Sequence, residues 1–195
     1  LVGSEMCIRD RRTGFEGLDK MTSGWQNSDL IIIAARPAMG KTAFVLSMAK
    51  NMAVNFNTPV ALFSLEMSNV QLVNRLIVNV CEIPGEKIKS GRLESYEWEQ
   101  LDFKIKELYD APIFVDDTPS LSVFELRTKA RRLVREHGVR IIIIDYLQLM
   151  NASGMSFGSR QEEVSTISRS LKGLAKELNI PIVLQNYHHR STTYS

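Results

Sequence analysis

Five short apolar runs punctuate the chain, at residues 30–34, 59–65, 111–115, 140–145 and 180–184. None alternates apolar with polar, as a strand with one wet face would; all five read as strands, with 30–34 and 140–145 buried on both faces. Between the runs, apolar residues recur every three or four positions. Residues 43–54 read as a helix with Met48 and Met52 on its core side. Leu72, Val73, Leu76, Ile77 and Val80 form one further stripe, and Trp98, Leu101, Ile105 and Leu108 a second. Val164, Ile167, Leu171, Leu174 and Leu178 form a third, with Arg169, Lys172 and Lys176 outside it. Ser68 with Gln71 and Ser122 with Glu125 have capping-box spacing. Pro84-Gly85 ends the helix begun at Ser68, and Gly138 ends the one that runs to His137. Residues 13–29 are turn-rich, with Trp25 as a packing residue, and residues 151–159 form a Gly/Ser-rich loop. Strands alternating with helices specify an α/β fold, a mostly parallel β-sheet with helices on both faces. In such a sheet, ligands bind at the carboxyl ends of the strands.

Bulk composition narrows the picture without redirecting it. The 195 residues are 44% apolar and 24% charged, ordinary for one globular domain. A net charge of +2 is too mild to argue for nucleic acid by itself. Cys7 and Cys81 offer neither a disulfide framework nor a paired metal motif, which fits a reducing compartment. No apolar run reaches the ~20 residues of a membrane span, and the first residues carry no signal-type apolar region. The expectation is a soluble, cytoplasmic protein. Residues 1–12 lack periodicity and look like translated sequencing adapter, so they are set aside as a non-native extension.

Candidate chemistry sits at the ends of the apolar runs. Residues 30–42 read LIIIAARPAMGKT: strand, small-residue loop, Gly-Lys-Thr, then helix. This is the layout of a P-loop, in which backbone N–H groups and a helix N-terminus meet phosphate oxygens. The expected cradle is Ala35, Arg36, Pro37, Ala38, Met39, Gly40, Lys41 and Thr42. Gly40 would let backbone approach phosphate, Lys41 would supply a point charge, and Thr42 would ligate Mg²⁺. Ala35 stands where the general pattern asks for glycine. Asp145 closes the isoleucine run in the Walker-B manner, as a second group around Mg²⁺, or else as a simple turn cap. Hydrolysis also needs a carboxylate to activate water; Glu66 is one candidate, with Asp116 and Asp117 as rivals that also suit turn chemistry. Arg127, Lys129, Arg131, Arg132, Arg135 and Arg140 read as a solvated face with some carboxylate pairing. Arg160, beside the Gly/Ser loop, is the better DNA-contact candidate. His137 suits a helix C-terminus. His188-His189 lack a third metal ligand at suitable spacing.

Taken together, TGFEGLD, SGWQNSDLIIIAARPAMGKTAF, ALFSLEM, IIIIDYLQLM and RQEEVSTISRSLKGLAKELNIPI occur in one order. That series resembles the motor domain of bacterial replicative DNA helicases of the DnaB type, over residues 13–183. The resemblance implies a RecA-like P-loop NTPase fold with the strand near Ile180 between the P-loop and Walker-B strands. It implies ATP and Mg²⁺ as cofactors, Lys41 and Glu66 as catalytic groups, and Thr42 and Asp145 around the metal. Ala35 then follows the family's own form of the loop, and Ser159 and Arg160 belong to a DNA-facing loop. The implied function is ATP-dependent 5′–3′ translocation on single-stranded DNA and duplex unwinding at replication. The implied partners are five further copies in a hexamer, primase and a helicase loader, with no membrane. Two other readings stand beside it: a RecA-like recombination or assembly ATPase, and an inactive nucleotide-binding fragment.

The chain also departs from that family. The resemblance leads one to expect a helical domain and a linker before residue 13, and residues 1–12 do not read as either. Residues 184–195 read LQNYHHRSTTYS where the family has a segment similar to ALSQLNR, as a frame change or read end near Leu184 would produce. The γ-phosphate sensor role is therefore not assigned to Gln185. The second DNA loop and the arginine finger would lie further on. Such a finger is worth roughly 10³–10⁵ in rate, so this chain is expected to bind ATP–Mg²⁺ weakly and hydrolyse little.

Overall fold

Consecutive isoleucines are stiff at χ1 and suit a pleated strand better than a helix, and the strand they form lies at the centre of this fold. The computed structural model describes residues 11–36, 38–145, 150 and 159–187. Its elements, in chain order, are α1 (Glu16–Thr22), β1 (Leu30–Ala35), α2 (Lys41–Lys50), β2 (Val60–Ser64), α3 (Asn69–Cys81), α4 (Gly85–Ser90), α5 (Ser95–Tyr109), β3 (Ile113–Asp116), α6 (Val123–His137), β4 (Ile141–Asp145), α7 (Arg160–Leu178) and β5 (Ile182–Tyr187). A π-helical turn, Asn51–Asn55, prolongs α2.

The five strands form one sheet in the order β1-β5-β4-β2-β3. Every pairing is parallel. Ile143 of β4 lies level with Leu62 of β2 and Val183 of β5. Each strand sends alternate side chains into two cores. Ile142, Ile144, Ile182 and Leu184 pack with α6 and α7 on one face. Ile141, Ile143 and Val183 pack with α2 and α3 on the other. Both faces being covered explains why β2 and β4 are buried at every position. Met48 and Met52 are wholly buried, and Trp25 donates its indole N–H to the Met48 sulfur at 3.2 Å, as packing residues would. Both capping boxes form, and Gly138 closes α6 at φ +63°.

Several expectations are corrected. The first strand is not buried on both faces: among the described residues β1 is a sheet edge, and Ile32 is 53% exposed. Residues 13–29 contain a helix, α1, whose Asp19 carboxylate accepts the Thr13 N–H and hydroxyl, both at 2.8 Å, and the Gly14 N–H. That knot sets Phe15 in a stack on Phe44 of α2, ring centroids 4.8 Å apart. A short α4 follows Pro84 where only a break was expected. Trp98 and Val73 are exposed, because α5 packs on α3 as an outer layer rather than on the sheet. Strand β5 runs on to Tyr187, past Leu184. Arg11 is buried, and its carbonyl accepts the Trp25 N–H at 3.1 Å.

Candidate nucleotide and metal site

The loop between β1 and α2 bends through two left-handed residues, Ala38 at φ +63° and Gly40 at φ +76°. For Ala38 that conformation costs about 1–2 kcal/mol, a strain of the kind held at functional turns. Gly40 is the N-cap of α2 and brings no side chain to it. By contrast α3, α6 and α7 are capped by Ser68, Ser122 and Ser159, and α5 by Glu94. The first turn of α2 also lacks an acidic residue. Its N–H groups and dipole are left for an external anion. Ala35 ends β1; Arg36, Ala38, Met39 and Gly40 lie on this turn; and Lys41 and Thr42 open α2, whereas Pro37 falls outside the described residues.

Lys41 and Asp145 meet beneath the turn. Lys41 is buried and its Nζ donates to the Asn186 carbonyl at 3.3 Å. Burial lowers its pKa, while the carboxylates of Asp145 and Glu66 pull it back up. Asp145 ends β4 level with Ser64 of β2 and is 1% exposed. Burial, then the Glu66 charge, push its carboxyl up to about 6, against the opposing pull of Lys41, Arg75 and the Thr42 hydroxyl. Neither carboxylate oxygen of Asp145 makes a well-formed hydrogen bond. Two buried, unsatisfied oxygens beside a threonine hydroxyl fit a hard divalent cation that completes its shell with water and phosphate oxygens. Among the described residues no cluster of three or more His, Cys, Asp or Glu could hold a metal ion.

Glu66 lies two residues beyond β2, exposed, on the bend that leads into α3. Its charge bears on both Lys41 and Asp145. The rival carboxylates are engaged elsewhere. Asp116 accepts from Lys129 at 2.6 Å and from the Thr118 N–H at 3.0 Å. Asp117 accepts the Asn69 N–H at 2.7 Å. Sequence reasoning missed Arg75, one helical turn beyond Gln71 on α3, whose charge also bears on Asp145. It is brought there by the tertiary fold; no local pattern marks it.

The other candidates separate. Arg127 and Arg131 share Glu177 of α7, and Arg135 pairs with Glu136, so the basic stretch is a surface with carboxylate pairing, as expected. His137 stacks on Phe114. Ser159 is the N-cap of α7, its hydroxyl accepting the Glu162 N–H at 3.3 Å, and Arg160 is that helix's first residue. Most of the loop before them, and His188-His189, lie outside the described residues. Gln185, level with Ile33 of β1, is fully buried with neither side-chain amide atom bonded. Such a burial costs about 1–3 kcal/mol, a misfit in the segment that departs from the family pattern.

The family model described as the DnaB-like helicase C-terminal domain matches residues 11–193. The replicative DNA helicase DnaB of Geobacillus stearothermophilus is 50% identical over 179 residues, covering 92% of this chain and 39% of that protein. The DnaB of Nostoc sp. is 52% identical over 172 residues, 87% of this chain and 19% of its own length. The chain thus spans well under half of these relatives. A solved ATPase domain of G40P matches with a TM-score of 0.86 at 39% identity, covering 92% of this chain and 64% of that one. A DnaB-like replicative helicase, solved in a study of its interactions with primase, matches with the same TM-score and identity, covering 43% of its own length. The fold is RecA-like, and the chain belongs to the DnaB-like helicase C-terminal domain family.

Proposed function

We propose that this chain is the ATP-hydrolysing motor of a replicative DNA helicase that moves 5′–3′ on single-stranded DNA. The observation that carries the reading is the convergence of Lys41, Thr42, Asp145 and Glu66 at the carboxyl ends of β1, β4 and β2, beneath an uncapped α2. The N–H groups at the start of α2 would hold the phosphates, with Lys41 neutralising the terminal ones. Thr42 and Asp145 would hold Mg²⁺, which when bound supplies charge neutralisation across the phosphate oxygens. Glu66 would orient the attacking water and take its proton. It stands on an exposed bend where water is at hand, whereas Asp145 is buried and suited to the metal.

Beyond the site, the reading extends to the whole protein. The relatives are named replicative helicases, and one was solved in a study of primase interactions, which supports primase as a partner. A homohexamer with ATP between subunits, a helicase loader and a cytoplasmic location belong to the same proposal. No helix among the described residues is long and apolar enough to cross a membrane. Arg160, the first residue of α7, and Ser159 before it would meet DNA phosphates, giving salt-sensitive and sequence-tolerant binding.

The test is Glu66→Gln in the full-length helicase. ATP binding, followed with a fluorescent nucleotide, is expected to stay within about twofold, while steady-state turnover falls by at least about a hundredfold. Turnover near the wild-type rate would overturn the assignment.

A further inference from the structure

Glu66 occupies a bend, yet the residues on either side of it are held at both ends. Ser64 is buried at the end of β2, and its hydroxyl closes a ring around the bend, donating to the Met67 carbonyl at 2.8 Å and accepting the Met67 N–H at 3.1 Å. The Leu65 N–H donates to the Asp145 carbonyl at 2.7 Å, so the sheet ladder continues one step beyond the strand. On the far side, the Asp117 carboxylate accepts the Asn69 N–H at 2.7 Å, at the first turn of α3. The Asp117 loop is itself pinned, since Lys129 of α6 donates to Asp116 and to the Thr118 hydroxyl, each at 2.6 Å. Ser68 and Gln71 cap α3 separately, through their own reciprocal bonds.

We propose that Ser64 and Asp117 are positioning residues for Glu66, fixing the bend so that its carboxylate faces the Lys41–Asp145 pair. The Ser64 hydroxyl ties the near end of the bend to Met67, one step from the Leu65 N–H that ties it to β4, and Asp117 ties the head of α3 to the loop after β3. The Glu66 charge bears on both Lys41 and Asp145, as this placement requires. Water activation depends on placement of the base to a fraction of an ångström, and a shift of about 1 Å costs on the order of a hundredfold in rate. Phosphate binding uses the turn before α2, which these bonds do not touch. The inference rests on the hydrolase reading above.

The two predict different outcomes in the full-length helicase. Ser64→Ala is expected to lower kcat about ten- to a hundredfold while KM for ATP–Mg²⁺ stays within about twofold, and Ser64→Thr, which keeps the hydroxyl, to restore most of kcat. Asp117→Ala is expected to lower kcat severalfold without a change in KM, and Asp117→Asn, which keeps an acceptor oxygen, to recover it. In a Glu66→Gln background neither alanine variant should reduce the residual rate further. Asp117 is on the surface loop, so its variants decide the matter if Ser64→Ala melts early. Turnover within twofold of wild type in the folded alanine variants, or a rise in KM that matches the fall in kcat, would overturn the inference while Glu66→Gln remained inactive. A Glu66→Gln protein that kept its turnover would instead overturn the hydrolase reading.

Discussion

Asp145 pays for its place at the end of β4. Its carboxyl is pushed up to about 6 by burial and by Glu66, from an ordinary value of 3.8. A folded-state pKa above the unfolded one means that the folded chain keeps a proton the unfolded chain releases. Stability therefore falls as pH rises from about 4 to about 6, and the whole penalty, on the order of 3 kcal/mol, is present at neutral pH. A bound cation would offset it, since the ion favours the charged carboxylate. In metal-free protein, Asp145→Asn is expected to raise thermal stability at pH 7.5 and to lose most of that advantage by pH 4.5. Melting curves in EDTA at the two pH values would check this, and equal shifts at both would show that the carboxyl is not strained. Asp145, Lys41 and Thr42 were legible in the sequence because each falls at a fixed offset from an apolar run. Arg75 and Ser64 were not, because their relevance depends on what the sheet brings beside them.

Helix ends mark the next scale. The caps of α3 and α6 could be read directly, since a serine followed three residues later by Gln or Glu needs only local chain to close the box. Ser122→Ala removes an acceptor for the Glu125 N–H and a donor to its carboxylate, and is expected to cost about 1 kcal/mol in urea unfolding without a change in nucleotide affinity. A loss of affinity comparable to that of a Lys41 variant would show that α6 is coupled to the site. Helix α1 went unseen because its stability comes from outside its own seven residues. Asp19 reaches back to Thr13 and Gly14, and Phe15 leans on Phe44. Turn residues dominate the local signal there, and tertiary contacts override it.

Across the whole molecule, sheet order decides what each apolar run is worth. Four isoleucines at 141–144 and three at 31–33 look alike in the sequence. β4 is central and buried on both faces; β1 is an edge. Ile143→Ala should therefore cost about 2–5 kcal/mol, whereas Ile32→Ala should cost well under half of that, as measured by chemical denaturation. Equal costs would contradict the strand order.

The sequence by itself determined the alternation of strands and helices, the parallel sheet covered on both faces, the glycine-containing turn before α2 and the acidic residues at strand ends. These follow from periodicity and from residue chemistry at short range. Only the tertiary structure shows where the rivals of Glu66 are engaged: Lys129 holds Asp116 and the head of α3 holds Asp117, and neither bond can be read from residue type. It likewise decided that Glu66, Asp145, Lys41 and Arg75 share one field, since they come from three separate stretches of chain that meet only when β4 settles beside β2 and β5 settles between β4 and the P-loop strand.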